Sequence, residues 1–189
     1  MEPKVLIQAL GVAEKLKNVT RHCYTTEGRH ESVAEHSWRT ALMAMLLSEQ
    51  IPEVDMGMVI RMCLIHDLGE AFTGDIPSFE KTKAHEQAEE DRLNAWVDSL
   101  PAQQRKEFSA LYKEMNERTT LEAKVYKAID RLEAVIQHNE SHISTWLPLE
   151  YELQLTYGEE DVKVHPMLQA IKDENNRRTK EKIAQSKEQ

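Results

Sequence analysis

At 189 residues the chain is long enough for one domain with its own core and short for two. Its 24 Lys and Arg against 33 Asp and Glu leave a net charge of −9, which disfavours broad binding to a nucleic acid polymer or an anionic membrane, though not a local cationic site for one phosphate. The only cysteines, Cys23 and Cys63, have no metal-like spacing, so neither a disulfide framework nor a thiolate zinc site is expected, and a reducing cytoplasm is the default location.

Gly and Pro number 6 each, about 3% apiece against the roughly 7% and 5% of average proteins, so few turns and long helices are expected. Val5, Ala9, Leu10, Ala13 and Leu16 form a first helical stripe. Gln8 interrupts its apolar start and Glu14, Lys15 and Lys17 follow, which reads as an amphipathic helix and not a secretory signal. Ser32 with Glu35 fits a capping box, opening a helix whose stripe is Trp38, Ala41, Leu42, Met45 and Leu46. The longest apolar run, Ala41 to Leu47, is far below the roughly 18 residues that span a bilayer. Asp55 can begin a helix through Val59, Cys63 and His66, loosened by Gly69 and Gly74 before Ile76 and Pro77.

Lys83 to Leu100 and Pro101 to Asn116 read as two surface helices of mixed charge, the second with Pro at its first position. Thr119 with Glu122 suggests another capping box, before the stripe Leu121, Val125, Ala128, Ile129, Leu132 and Ile136. Beside that stripe run Tyr126, Asp130, Glu133 and Gln137. No alternating strand pattern competes, and Asn175 to Gln189 reads as a helix end that frays. The expected fold class is all-α, a compact multi-helix bundle.

Ile65-His66-Asp67-Leu68-Gly69-Glu70 places polar chemistry directly after the apolar run Val59 to Leu64. Burying an imidazole and two carboxylates there costs several kcal/mol unless something compensates them, and a divalent cation is the economical answer. His36 and Asp130, on separate helices, are available as further ligands. His36, His66, Asp67 and Asp130 together offer two imidazoles and two carboxylates, a set that suits a first-row divalent ion with positions left open.

This order of His36, His66-Asp67 and a distant helical Asp130 resembles the HD superfamily of metal-dependent phosphohydrolases, over roughly Leu16 to Ile143. Glu-Ser-Val-Ala-Glu-His at 31–36, His-Asp-Leu-Gly-Glu at 66–70 and Gly-Asp-Ile-Pro at 74–77 are most similar to the bacterial 5′-deoxynucleotidases and their eukaryotic HD-domain relatives. The resemblance implies a single HD domain over 1–189, with a metal-site core at about 16–143 and a helical extension and frayed tail at about 144–189. It implies one divalent ion (Co, Mn, Zn, Fe or Mg) on His36, His66, Asp67 and Asp130, a homodimer, and removal of the 5′-phosphate from nucleoside monophosphates. It further implies Glu70 as general acid or base, Arg21 as the phosphate-orienting group, and Asp75 as the carboxylate facing the ribose 3′-hydroxyl, with Pro77 and Ser78 completing that wall. One position departs from the pattern: His22 stands where the bacterial enzymes have Trp, which leaves the choice between deoxyribose and ribose open.

Ordinary readings stand beside these. Arg21 among Lys15, Lys17 and His22 is also a solvated charge, Asp75 in Gly-Asp is also plain turn chemistry, and Asp130 beside Arg131 is also a surface ion pair. His138 and His142 have zinc-like spacing, but His138 lies about 12 Å of helix beyond Asp130, too far to share its metal. His85 is the only histidine between His66 and Asp130 that could serve a binuclear phosphodiesterase. A phosphodiesterase or pyrophosphohydrolase, and a catalytically inactive metal-stabilised nucleotide-binding module, are the competing functions.

Overall fold

The computed structural model describes residues 1–187. In chain order come α1 (Pro3–Lys15), the strands β1 (Thr20–Tyr24) and β2 (His30–Ser32), α2 (Val33–Leu46), α3 (Met56–Ile65), α4 (Glu70–Thr73), α5 (Lys83–Asp98), α6 (Ala102–Glu117), α7 (Leu121–Glu140), a 3-10 turn (Ile143–Thr145), α8 (Glu150–Thr156), α9 (Glu159–Val162) and α10 (Pro166–Ser186).

The long helix α7 is the axis on which the rest is built. Its apolar stripe recurs at helical spacing, and Val125, Ile129 and Leu132 are at most 1% exposed, each burial stabilising by roughly 1.5–3 kcal/mol. Helices α2, α3, α6, α8, α9 and α10 and the strand β1 all pack against it. Its polar stripe, Asp130, Glu133 and Gln137, is buried too. Carboxylates on the central helix of a core need partners, and α2, α3 and β1 supply them.

The local start signals are realised with one shift. Ser32 caps α2 with the reciprocal Ser32–Glu35 bonds of a capping box, and the Asp55 side chain accepts from the Met58 amide at the start of α3. At α7 the cap is Thr120, not Thr119, and it accepts from the Ala123 amide. Glu122 is drawn away from any capping box because it accepts from the Asp55 amide 3.1 Å away, tying α7 to the start of α3. Pro101 stands just outside α6 as its cap and not at its first position.

One expectation is corrected. The segment read as free of strands contains the antiparallel hairpin, paired Thr20 with Ser32 and Tyr24 with His30 around an irregular register, with Gly28 at φ +80° in its turn. Residues 21–24 are all partly buried, one strand face against α7, so neither face is left wholly polar and no alternation shows. The helix end expected from Asn175 is the last part of α10, which runs to Ser186; residues 188 and 189 lie outside the described residues. Its polar side chains are spent on other elements' carbonyls: Lys172, 1% exposed, donates to the Gln154 carbonyl at 3.0 Å, and Lys182 donates to Ser141 at 2.6 Å and to Asn139.

Candidate functional site

The backbone between α3 and α4 carries the densest chemistry. After Ile65 the chain leaves the α-helical pattern for tight i→i−3 turns, with Leu68 donating to Ile65 and Glu70 to Asp67, both at 3.1 Å. The helix expected to run through His66 therefore ends at Ile65, and the tight turns carry His66, Asp67 and Glu70. Gly69 allows the close approach of α5: a Cβ there would meet Glu89 Cγ at 2.7 Å. Gly74, at φ +80°, ends α4 and aims Asp75 back across the site.

His36 from α2, His66 and Asp67 from this turn and Asp130 from α7 converge. His36 Nε2 lies 3.2 Å from His66 Nε2 and 3.1 Å from Asp130 Oδ1. His66 Nε2 lies 3.0 Å from Asp67 Oδ2 and 3.4 Å from Asp130 Oδ1. His36, His66 and Asp67 offer ligand atoms all within 4.8 Å of one another. The other ring nitrogens are already committed: His66 Nδ1 faces the Cys63 carbonyl at 2.8 Å, and His36 Nδ1 faces Glu133 Oε2. An imidazole that donates through Nδ1 presents its Nε2 lone pair, so both rings are oriented as a cation requires. This donor set fits a divalent ion.

Above the cluster opens a cavity of about 610 Å³, the size of a small-molecule site. Arg21, His22, Asp67, Glu70, Asp75, Pro77, Ser78 and Asp130 all line it, while His36 and His66 lie beneath, 0% and 3% exposed in their side chains. Arg21 from β1 stands 3.6 Å from Asp67 Oδ2 and 3.2 Å from Glu31 Oε2, so it is braced as well as aimed. Burial opposes its charge, but the negative groups around it, Asp67 foremost, hold the guanidinium protonated. Lys81, Arg118, Lys127 and Arg131 add a cationic rim to an acidic protein, which favours entry of a small anion.

Glu70 is 4% exposed, and burial first, then the Asp67 and Asp75 carboxylates, push its pKa up to about 10. Asp75 beside it is itself raised, by burial above all. The pair therefore holds a proton at neutral pH, with Glu70 as the residue that carries it. His85 takes no part: its ring caps α5 by accepting from the Thr82 amide at 3.3 Å.

Residues 13–172 match the family described as HD domain. The chain belongs to the HD-domain family. It is 32% identical over 139 residues to the human 5′-deoxynucleotidase HDDC2, which covers 71% of this chain and 67% of that protein. The Dictyostelium discoideum 5′-deoxynucleotidase HDDC2 is 32% identical over 136 residues, 67% of this chain and 72% of that one. Among solved structures, a predicted metal-dependent phosphohydrolase from Magnetospirillum magnetotacticum superposes with a TM-score of 0.75 at 32% identity, covering 93% of this chain and 95% of the other. Membership in this family implies a divalent metal.

The HD domain also holds partners that the sequence reading passed over. Glu133, 1% exposed on α7, clamps His36 Nδ1 with one oxygen and lies 3.5 Å from Arg39 Nε with the other. It sits three residues beyond Asp130 and so shares its helix face, a signal present in the polar stripe. Lys127 donates to Asp130 Oδ2 at 2.6 Å, leaving Oδ1 for the cluster. Glu31, buried beside Arg21 and Glu133, is pushed up to about 7 by burial and the Glu133 charge. Glu133 is thus a positioning residue. Glu133→Gln is expected to weaken divalent-ion affinity by about 10–100-fold with little change in far-UV circular dichroism, measured by calorimetric titration.

Without a cation, protons take its place. Burial opposes the His66 charge, but Asp67 and Asp130 overcome it and raise its pKa to about 10, while both carboxylates are held below the usual range despite burial. A raised imidazole pKa contributes stability that is full below about pH 6.5 and lost as pH rises through about 10. A divalent ion replaces the proton at alkaline pH and competes with it at low pH. Saturating Co²⁺ or Mn²⁺ should therefore raise the Tm by about 5–10 °C at pH 8.5 and by much less at pH 6, as read by thermal denaturation.

Proposed function

We propose that this HD domain removes the 5′-phosphate from nucleoside 5′-monophosphates, deoxyribonucleotides among them. The observation that carries the reading is the juxtaposition of the His36, His66, Asp67 and Asp130 cluster with Arg21 and a proton-holding Glu70 at one cavity. The human relative bears the name 5′-deoxynucleotidase, and the Magnetospirillum neighbour is described as a metal-dependent phosphohydrolase.

His36, His66, Asp67 and Asp130 are the residues that would hold the divalent ion, with Co, Mn, Zn, Fe and Mg as candidates. When bound, such an ion supplies Lewis acidity toward the phosphate and the attacking water. Arg21 binds the phosphate oxygens through its fork and neutralises charge that grows on them. Glu70 holds a proton on its carboxyl and delivers it to the departing 5′-oxygen as a general acid. Asp75, Pro77 and Ser78 form the sugar wall, with Asp75 accepting from the 3′-hydroxyl. His22, which stands where the bacterial enzymes have Trp, lines the same cavity and leaves the choice between deoxyribose and ribose to be measured. Phosphate release from ribo- and deoxyribonucleoside 5′- and 3′-monophosphates, with each ion in turn, tests the reading. Release confined to 5′-monophosphates supports it, and release only from diesters or pyrophosphates overturns it.

Quaternary structure follows the same logic. The large exposed apolar side chains include Ile7 and Leu10 on α1 and Trp38, Met45 and Leu46 on α2, whereas α5 turns Leu93 and Val97 inward. A homodimer through α1 and α2 covers those side chains. A monomer mass by light scattering at micromolar concentration contradicts it. None of the described helices is long and apolar enough to cross a membrane.

A further inference from the structure

The cavity extends well past the metal cluster. Asp130, Ala134 and His138 line it along α7, and His138 is eight residues beyond Asp130, about 12 Å along the helix axis. At this remote end three titratable side chains meet: His22 from β1, His138 from α7 and Glu150 from the start of α8. The phosphate chemistry described above uses neither His138 nor Glu150.

Their hydrogen bonding is unspent. Glu150 Oε1 lies 3.0 Å from His22 Nε2, without the alignment of a hydrogen bond, and Oε2 lies 3.6 Å from His138 Nε2. Both Nε2 atoms are buried and lack a hydrogen-bond partner among the described residues, and the His138 side chain is only 8% exposed. A buried polar atom left unpaired costs about 1–3 kcal/mol, so the arrangement calls for a ligand that completes it. Glu150 does have one fixed bond, accepting from the Leu147 amide at 2.6 Å, which holds the carboxylate in place.

The imidazole of His138 is equally fixed. It stacks on Trp146 at 4.6 Å between ring centroids and 26° between planes, and Trp146 Nε1 donates to the His138 carbonyl at 3.2 Å. Its Nδ1 faces Cys23 Sγ at 3.9 Å; burial keeps that thiol protonated, pushed up to about 12, so Nδ1 accepts and the ring proton sits on Nε2. Burial also lowers the pKa of His138, so the ring is a neutral single donor. An acceptor-only carboxylate thus stands beside a rigid N–H donor. Phe79, edge-on to His22 at 5.7 Å, adds an aromatic surface to the same end.

We infer that this end of the cavity is a nucleobase subsite, in which Glu150 accepts from a base N–H, His138 donates to a base oxygen or ring nitrogen, and His22 and Phe79 flank the ring. The inference rests on the proposed nucleotide substrate and assigns where its base lies. Polarity along the cavity agrees with the orientation. Arg21, Lys81 and Lys127 draw the phosphate to the cluster, whereas Glu150 repels it from the remote end. A flat heterocycle carrying donors and acceptors on one edge satisfies the unpaired atoms; a simple sugar phosphate is too short to reach them.

Glu150→Gln tests the subsite, because the amide oxygen can still accept from Leu147 while the paired acceptor of the carboxylate is lost. Kinetics with the divalent ion supplied compare deoxynucleoside 5′-monophosphates with the base-free 2-deoxyribose 5-phosphate. The preference for nucleotide over sugar phosphate is expected to fall about tenfold, mainly through KM, as one charge-assisted hydrogen bond is weakened. An unchanged preference, whether both activities fall together or neither does, overturns the inference. Calorimetric titration of free deoxynucleosides into the wild type and Glu150→Gln gives a readout without phosphate or metal. Weaker nucleoside binding by the variant supports the subsite even where no phosphate is released, a result that would sink only the phosphatase reading. Equal binding by both proteins, or no nucleoside binding by the wild type, removes the subsite while leaving phosphate release to be judged on its own.

Discussion

Asp67→Ala is expected to lower metal-dependent phosphate release by about 10³-fold or more. Asp67 lies 3.0 Å from His66 Nε2, 3.7 Å from His36 Nε2 and 3.6 Å from Arg21 Nη1, so its carboxylate joins the proposed cation cluster to the guanidinium proposed to bind phosphate. Alanine removes a proposed ligand and a counter-charge of His66 and Arg21 together. Calorimetric titration should show divalent-ion affinity falling with the activity. Lost activity with undiminished ion affinity would move Asp67 from ligand to a role in aligning Arg21. The fold should survive, because Asp67 sits on the cavity wall at the rim of the tight turn and the apolar stripe of α7 does not depend on it.

Glu70→Gln is expected to lower kcat by about 10²–10⁴-fold with KM and ion affinity nearly unchanged. The shape of the side chain is kept and only the transferable proton is lost. The wild-type rate should fall as pH rises through the Glu70 pKa, because the proposed reaction uses the protonated form as its acid. That pKa is about 10 in the protein without a cation, raised by burial and by Asp67 and Asp75, and a neighbouring positive ion moves it downward. The variant should lose this alkaline limb. A pH–rate profile identical in shape to that of the wild type would show that another group carries the proton.

His36, His66, Asp67 and Asp130 stood out because charged and imidazole side chains interrupt strongly apolar helical segments, a local contradiction that burial makes expensive. Glu133 was visible as a member of the same stripe but carried no signal of what it would touch, since its partner His36 is 97 residues away. His138 looked like half of a zinc-like pair, and only the fold separates it from His142. In the structure His138 lines the cavity, and His142 is exposed and caps a short turn through Ser144. Glu150 offered no signal in the chain at all. Similarly, the break after Ile65 could not be read from periodicity, because the tight turns keep nearly helical backbone angles while rotating the side chains.

Local rules act between near neighbours, and they were enough for what depends on near neighbours. Helical periodicity, the Ser32–Glu35 box and the apolar stripe of α7 specify the helices, and the clash between apolar context and polar residues marks the cluster of His36, His66, Asp67 and Asp130. Contacts across long stretches of chain decided the remainder. The hairpin β1–β2 forms because α7 offers it a face, α10 is tied down because Lys172 and Lys182 find carbonyls on α8 and at the end of α7, and the cavity exists because β1, the turn after α3 and α8 close around one helix. Each of these is stabilised by burial and hydrogen bonding between segments whose proximity no local pattern encodes.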